Sequence, residues 1–226
     1  MFTKRVFDRE EQSQYEIYLN AWDHGQPTLH STFNFTLVIL DDNDHRPEFD
    51  RPFYTIDLLE NTPIDTIITQ FIAHDADEQQ TNNSRIEYRL EKSDTFTLNS
   101  STGELRLKKP LDRERKSTYH LKITAFDYGQ PRSLSSTVDC QINLIDVNDH
   151  PPRFDRSEYT FYVKENWSSE LPIGHLYATD LDKDFNRLVY RWDVPPLINQ
   201  WPFKLSTNGT LYLTATSGGM YEFHEQ

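Results

Sequence analysis

The chain has 226 residues, room for one large domain or two of ordinary size. Lys and Arg number 23 against 36 Asp and Glu, a net charge of −13, which disfavours nucleic acid as a partner because phosphate binding draws on excess basic side chains. The longest uninterrupted apolar run, Leu37–Leu40, falls far short of the ~18 residues that span a bilayer, and one cysteine excludes a disulfide framework or an all-Cys zinc site.

Residues 1–20 carry several charges and lack the apolar core of a signal peptide. Tyr15, Ile17, Leu19 and Ala21 alternate with Glu16, Tyr18 and Asn20, and Phe33, Phe35, Leu37 and Ile39 alternate likewise. This period of two predicts strands with one buried face. The same pattern returns at Tyr119, Leu121, Ile123 and Ala125, then at Val138, Cys140, Ile142 and Leu144. Ser101-Thr102-Gly103-Glu104 and Thr207-Asn208-Gly209-Thr210 read as Gly-bearing hairpin turns. Aromatic residues recur at strand spacing, and no amphipathic helix is evident. The expected fold is all-β: tandem, immunoglobulin-like Greek-key β-sandwiches.

The motifs between strands repeat. Asp8-Arg9-Glu10 recurs 104 residues on as Asp112-Arg113-Glu114, and Ala21–Pro27 recurs at the same offset as Ala125–Pro131. Asn43-Asp44-His45, Glu60-Asn61 and Asp75-Ala76-Asp77 recur at 105 as Asn148-Asp149-His150, Glu165-Asn166 and Asp180-Leu181-Asp182. One register held by five acidic motifs marks a tandem array. Residues 1–43 are predicted to be the C-terminal part of a repeat, 47–148 a complete one and 152–226 the N-terminal part of a third. Met1 falls in mid-repeat, so the chain reads as a fragment.

Isolated acidic residues in loops are ordinarily solvated turns. Here five kinds of acidic motif keep register, and hard oxygen ligands without His or Cys select calcium, which takes about 6–8 oxygens. Carboxylates packed so densely repel one another unless a cation neutralises them. An EF-hand is excluded: the loop starting at Asp180 has Phe185 where Gly is required and Arg191 where Glu is required.

Asp-Arg-Glu, Ala-x-Asp-x-Gly, Asp-x-Asn-Asp-His-x-Pro, Glu-Asn and Asp-x-Asp, in this order and spacing, resemble tandem extracellular cadherin repeats over essentially the whole chain. The Fat, Dachsous, Flamingo and protocadherin kinds are the nearest in flavour. The resemblance implies calcium-binding linkers between repeats, with about three Ca2+ per complete junction. It assigns the first junction to Asp8, Glu10, Asp42 (carbonyl), Asn43, Asp44, His45 (carbonyl), Asp75, Asp77, Asn83 (carbonyl) and Asp127. It assigns the second to Glu60, Asp112, Glu114, Val147 (carbonyl), Asn148, Asp149, His150 (carbonyl), Asp180, Asp182 and Asn186 (carbonyl). Asp23, Glu165 and Glu222 would serve junctions beyond these two, although Met220-Tyr221-Glu222 lacks the aspartate of an Asp-x-Glu motif.

The function so implied is calcium-dependent cell–cell adhesion by a plasma-membrane ectodomain. The partner would be a cadherin ectodomain on an apposed cell, homophilic or heterophilic. Membrane attachment would lie outside this segment. Five sequons, at Asn34, Asn82, Asn99, Asn166 and Asn208, fit an extracellular glycoprotein. Cys140 takes an inward strand position and reads as a buried, inert thiol. The alternative is a calcium-dependent carbohydrate-binding or signalling-receptor β-sandwich without homophilic adhesion. An enzyme is not expected, because a catalytic carboxylate pair would converge once rather than recur with the repeat.

Overall fold

The computed structural model describes residues 6–165, 167–168, 171–183, 187–193 and 202–213. Asn166, Asn186, Glu222 and the Val194–Trp201 stretch lie outside them. Every regular element among the described residues is a β-strand. The chain divides into two compact units, Met1–Ile145 and Asp146–Gln226.

The first unit opens with an antiparallel pair, β1 (Gln14–Trp22) and β2 (His30–Val38), in register from Gln14↔Val38 to Trp22↔His30. The alternating apolar rows form the predicted strands. Yet among the described residues no strand is hydrogen-bonded to either outer edge, and Phe33 remains 65% exposed.

The central repeat follows within the same unit. Its strands are β3 (Glu48–Phe49), β4 (Phe53–Leu59), β5 (Ile67–Gln70), β6 (Ala73–His74), β7 (Glu87–Leu90), β8 (Phe96–Leu98), β9 (Glu104–Leu107), β10 (Thr118–Phe126) and β11 (Ser135–Ile145). One sheet has the order β4-β11-β10-β7, with β4 parallel to β11; the other is β5-β9-β8, and β3 pairs with β6. The buried rows include Leu121, Ile123 and Ala125 from β10 and Val138, Cys140, Ile142 and Leu144 from β11, packed with Phe71, Phe96, Leu105 and Leu107. β10 repeats the pattern of β1, but here it alternates buried and accessible because a second sheet covers its apolar side.

The second unit repeats part of this plan. β12 (Arg153–Phe154) pairs with β14 (Ala178–Thr179), and β13 (Pro172–His175), β16 (Thr210–Leu213) and β15 (Phe203–Leu205) form a sheet of order β13-β16-β15, matching β5-β9-β8. Residues 158–164 and 187–193, the counterparts of β4 and β7, form no strand. In the central repeat the strand partners of β4 and β7 are β11 and β10, and the described residues contain no counterpart of either. Both predicted hairpin turns form, with Gly103 at φ +72° and Gly209 at φ +92°.

Candidate metal centre

The Asp-Arg-Glu motif is a turn ahead of β1. Asp8 caps it, its carboxylate accepting the Glu11 N–H at 3.0 Å and its carbonyl the Gln12 N–H at 3.0 Å. Asp112 does the same for Arg115 at 2.8 Å and Lys116 at 3.0 Å. One carboxylate oxygen of each aspartate is therefore engaged by backbone, an Asx-type arrangement that presents the following glutamate at a fixed angle.

From that turn Glu10 meets the linker and the β6 end: Glu10, Asp44, His45 and Asp77 each offer a ligand atom within 4.8 Å of the others. The linker is locally constrained, with the Asp42 carbonyl accepting the Asp44 N–H at 2.9 Å. Asn43 donates to the Arg132 carbonyl at 2.9 Å and faces Asp127 at 3.4 Å. Asp127 is 1% exposed and closes the turn after β10, accepting Gly129 N–H at 2.9 Å and Leu134 N–H at 3.0 Å. Asp23 holds the matching turn through Gly25 at 3.1 Å and Leu29 at 2.9 Å. A Cβ on Gly129 would collide with the Asn43 carboxamide, so glycine is what lets the linker approach.

Beyond β6, the Asp75 carboxylate accepts the Asp77 N–H at 3.1 Å, and Asp77 accepts the His45 N–H at 3.3 Å. The His45 ring also takes part: Nδ1 lies 2.8 Å from Asp44 and 3.2 Å from Asp77. The resemblance assigns this histidine a role only through its carbonyl. Burial alone would lower the His45 pKa, but the hydrogen bond and charge of Asp44, with the charge of Asp77, raise it.

Three buried side-chain oxygens here have no hydrogen-bond partner: Asn43 Oδ1, Asp75 Oδ2 and Asp77 Oδ2. Burial, then the neighbouring Asp75 charge, pushes the Asp77 carboxyl up to about 6; burial and, secondarily, Asp127 raise Asp75. Buried polar atoms are ordinarily hydrogen-bonded, and a carboxylate pair held in this way is destabilised by its own charge. An all-oxygen, acidic donor set with unused lone pairs fits a hard divalent cation.

The second set of residues is placed in corresponding ways within each unit. In the first unit Glu60, 4% exposed, accepts the Arg113 N–H at 2.7 Å, and Glu60 and Glu114 offer oxygens within 4.8 Å of one another. In the second unit Asp180 accepts the Asp182 N–H at 3.0 Å, and Asp182 the His150 N–H at 3.1 Å. His150 Nδ1 lies 2.6 Å from Asp149 and 3.2 Å from Asp182. Val147 and Asn148 occupy the linker before them, and Glu165 is an exposed turn residue. Asn83 is anchored by its side chain, which donates to Asp41 at 2.8 Å.

Asp41 lies outside the ligand set that the resemblance assigns. It also accepts the Glu78 N–H at 3.1 Å and lies 3.4 Å from Arg9, which pairs with Glu10 at 2.8 Å. The signal was available: Asp41 opens the Asp-x-Asn-Asp-His motif and recurs 105 residues on as Asp146, which is buried.

Residues 54–145 match the cadherin domain family. The chain belongs to the cadherin family. It is 38% identical over 192 residues to the protocadherin-like wing polarity protein stan of Drosophila melanogaster, covering 83% of this chain and 5% of that protein. It is 40% identical to protocadherin Fat 4 of Homo sapiens, covering 79% of this chain and 4% of the relative. Among solved structures, the protocadherin GammaB4 extracellular domain matches at a TM-score of 0.82 and 27% identity, over 96% of this chain and 36% of that one. Mouse cadherin-23 EC22-24 matches at 0.79 and 29%, over 92% and 66%. The fold is thus the tandem cadherin-repeat β-sandwich. Cadherins and protocadherins are adhesion proteins and not enzymes, and cadherin repeats generally bind calcium.

Proposed function

We propose that this chain is part of a cadherin-like adhesion ectodomain whose inter-repeat linkers bind calcium. The observation that carries the reading is the trio of buried, partnerless oxygens on Asn43, Asp75 and Asp77 beside the Glu10–Asp44–Asp77 cluster. Asp8, Glu10, Asp42, Asn43, Asp44, His45, Asp75, Asp77, Asn83 and Asp127, joined by Asp41, would hold the ions. Bound calcium supplies positive charge and several oxygen-coordination positions at once, which removes the mutual repulsion of these carboxylates. It also ties the Asp8–Glu10 turn, the linker and the central repeat to one another. On sequence grounds the proposal extends to Glu60, Asp112, Glu114, Val147, Asn148, Asp149, His150, Asp180, Asp182 and Asn186, which hold the same register apart from Glu60 and Asn186, with Val147 in the place of Asp42.

Rigid linkers would let distant repeats meet a cadherin ectodomain on an apposed cell, at the extracellular side of the plasma membrane. The exposed sequon asparagines Asn34, Asn82, Asn99 and Asn208 suit such a glycoprotein. No helix among the described residues is long and apolar enough to cross a membrane.

The test is thermal unfolding of the 226-residue chain in chelator and in calcium. Extracellular calcium modules bind at about 0.1–1 mM, so 10 mM calcium should stabilise the chain by roughly 1–3 kcal/mol, several degrees in Tm. Asp77→Asn should abolish most of the increment while changing the chelator Tm little. Equal melting with and without calcium sinks the reading.

A further inference from the structure

We propose that Tyr88, and Tyr190 in the next repeat, are positioning residues of the cation-binding loops. The inference rests on the calcium reading above and adds to it the side chain that sets the loop.

Tyr88 lies on β7 and is 8% exposed. Its hydroxyl accepts the Ala73 N–H at 2.9 Å. Ala73 starts β6, and β6 runs directly into Asp75 and Asp77. The Tyr88 ring also packs on Phe49 of β3, with centroids 6.3 Å apart, and β3 is the first strand after the linker that carries Asn43, Asp44 and His45. The backbone of Tyr88 pairs with Ala125 on β10, two residues before Asp127. One residue thus links three stretches: its side chain joins the one that carries Asp75 and Asp77 to the strand after the linker, and its backbone joins them to the strand that leads to Asp127.

The second repeat reproduces the arrangement. Tyr190 accepts the Ala178 N–H at 2.7 Å, two residues before Asp180, and its ring lies 6.0 Å from that of Phe154 on β12. The glycines that admit these rings recur as well. A Cβ on Gly103 would stand 3.3 Å from Tyr88, and one on Gly209 would stand 3.2 Å from Tyr190. Two independent copies of one hydrogen bond, one ring contact and one glycine argue for a shared task. Each hydroxyl acts on the loop through a backbone N–H that precedes the carboxylates. Removing the hydroxyl would leave a buried N–H unpaired and free the approach to Asp75, the way loss of a supporting partner misplaces metal ligands.

The test is calcium binding to the full chain by calorimetry at 15 °C, with Tyr88→Phe compared against Ile123→Val. Ile123 is fully buried in the core and pairs with Val138 and Leu90, so its variant reports what lost stability alone does. The expected result is a calcium affinity weakened roughly tenfold in Tyr88→Phe and unchanged in Ile123→Val. Tyr88→Phe binding calcium like the parent overturns the proposal and leaves the calcium reading standing; a parent that binds no calcium overturns both. Amide exchange on the unaltered chain in chelator covers the case of a variant that does not fold. Ala73 N–H should be protected as well as the β10 amides, and fast exchange there refutes the tie.

Discussion

Asp77 shows how a single residue carries the tension of this fold. It is 1% exposed, accepts one backbone N–H and one imidazole, and still leaves an oxygen without a partner. A core side chain of similar burial behaves differently. Cys140, also 1% exposed, has no charge to accommodate, and burial pushes its thiol up to about 11 from 9.0. The folded state therefore holds the proton more tightly than the unfolded one. The stability this contributes is intact below pH 9 and is lost as pH rises from there through about 11. Accordingly, a thiol reagent at pH 8 should leave the native chain unlabelled and modify Cys140 fully in denaturant. Rapid labelling of the native chain would contradict the burial.

At the scale of elements, the β8–β9 hairpin is set by Gly103. Its φ of +72° disfavours any side chain, and a Cβ there would also strike the Phe71 carbonyl. Phe71 N–H in turn donates to the Gly103 carbonyl at 2.9 Å, so the hairpin is bound to the strand edge it approaches. Gly103→Ala should destabilise the chain by about 2 kcal/mol or more, from backbone strain and the collision together. Chemical denaturation in chelator, where calcium cannot mask the loss, gives the measurement. A midpoint within error of the parent would show that the turn relaxes freely.

For the whole molecule, the division of apolar burial predicts unequal resistance to unfolding. The fully buried side chains Phe71, Phe96, Leu105, Leu107, Ile123 and Ile142 all belong to the central repeat. The β1–β2 pair leaves Leu19, Phe33 and Val38 exposed, and an isolated two-stranded pair is marginal in water. In the second unit Tyr162 and Val189 are exposed on segments that form no strand. Limited proteolysis in calcium should trim both ends and leave a product near residues 47–148, read by mass spectrometry. Survival of residues 1–40 to the same extent as the middle would place the stable unit elsewhere.

The sequence by itself determined the repeat, the strands and the family, because each depends on local pattern: alternation along a strand, glycine at a turn, acidic motifs at fixed offset. It also named most of the candidate ligands, since the register carries them. It could not say that the His45 and His150 rings would join the carboxylates, or that Asp8 and Asp112 would engage an oxygen in capping their own turns. Nor could it say that Tyr88 would reach the Ala73 N–H. Those facts depend on which segments the tertiary fold brings side by side. The same alternating pattern lies buried in β10 and exposed in β1, because burial belongs to the sheet that covers a strand and not to the strand.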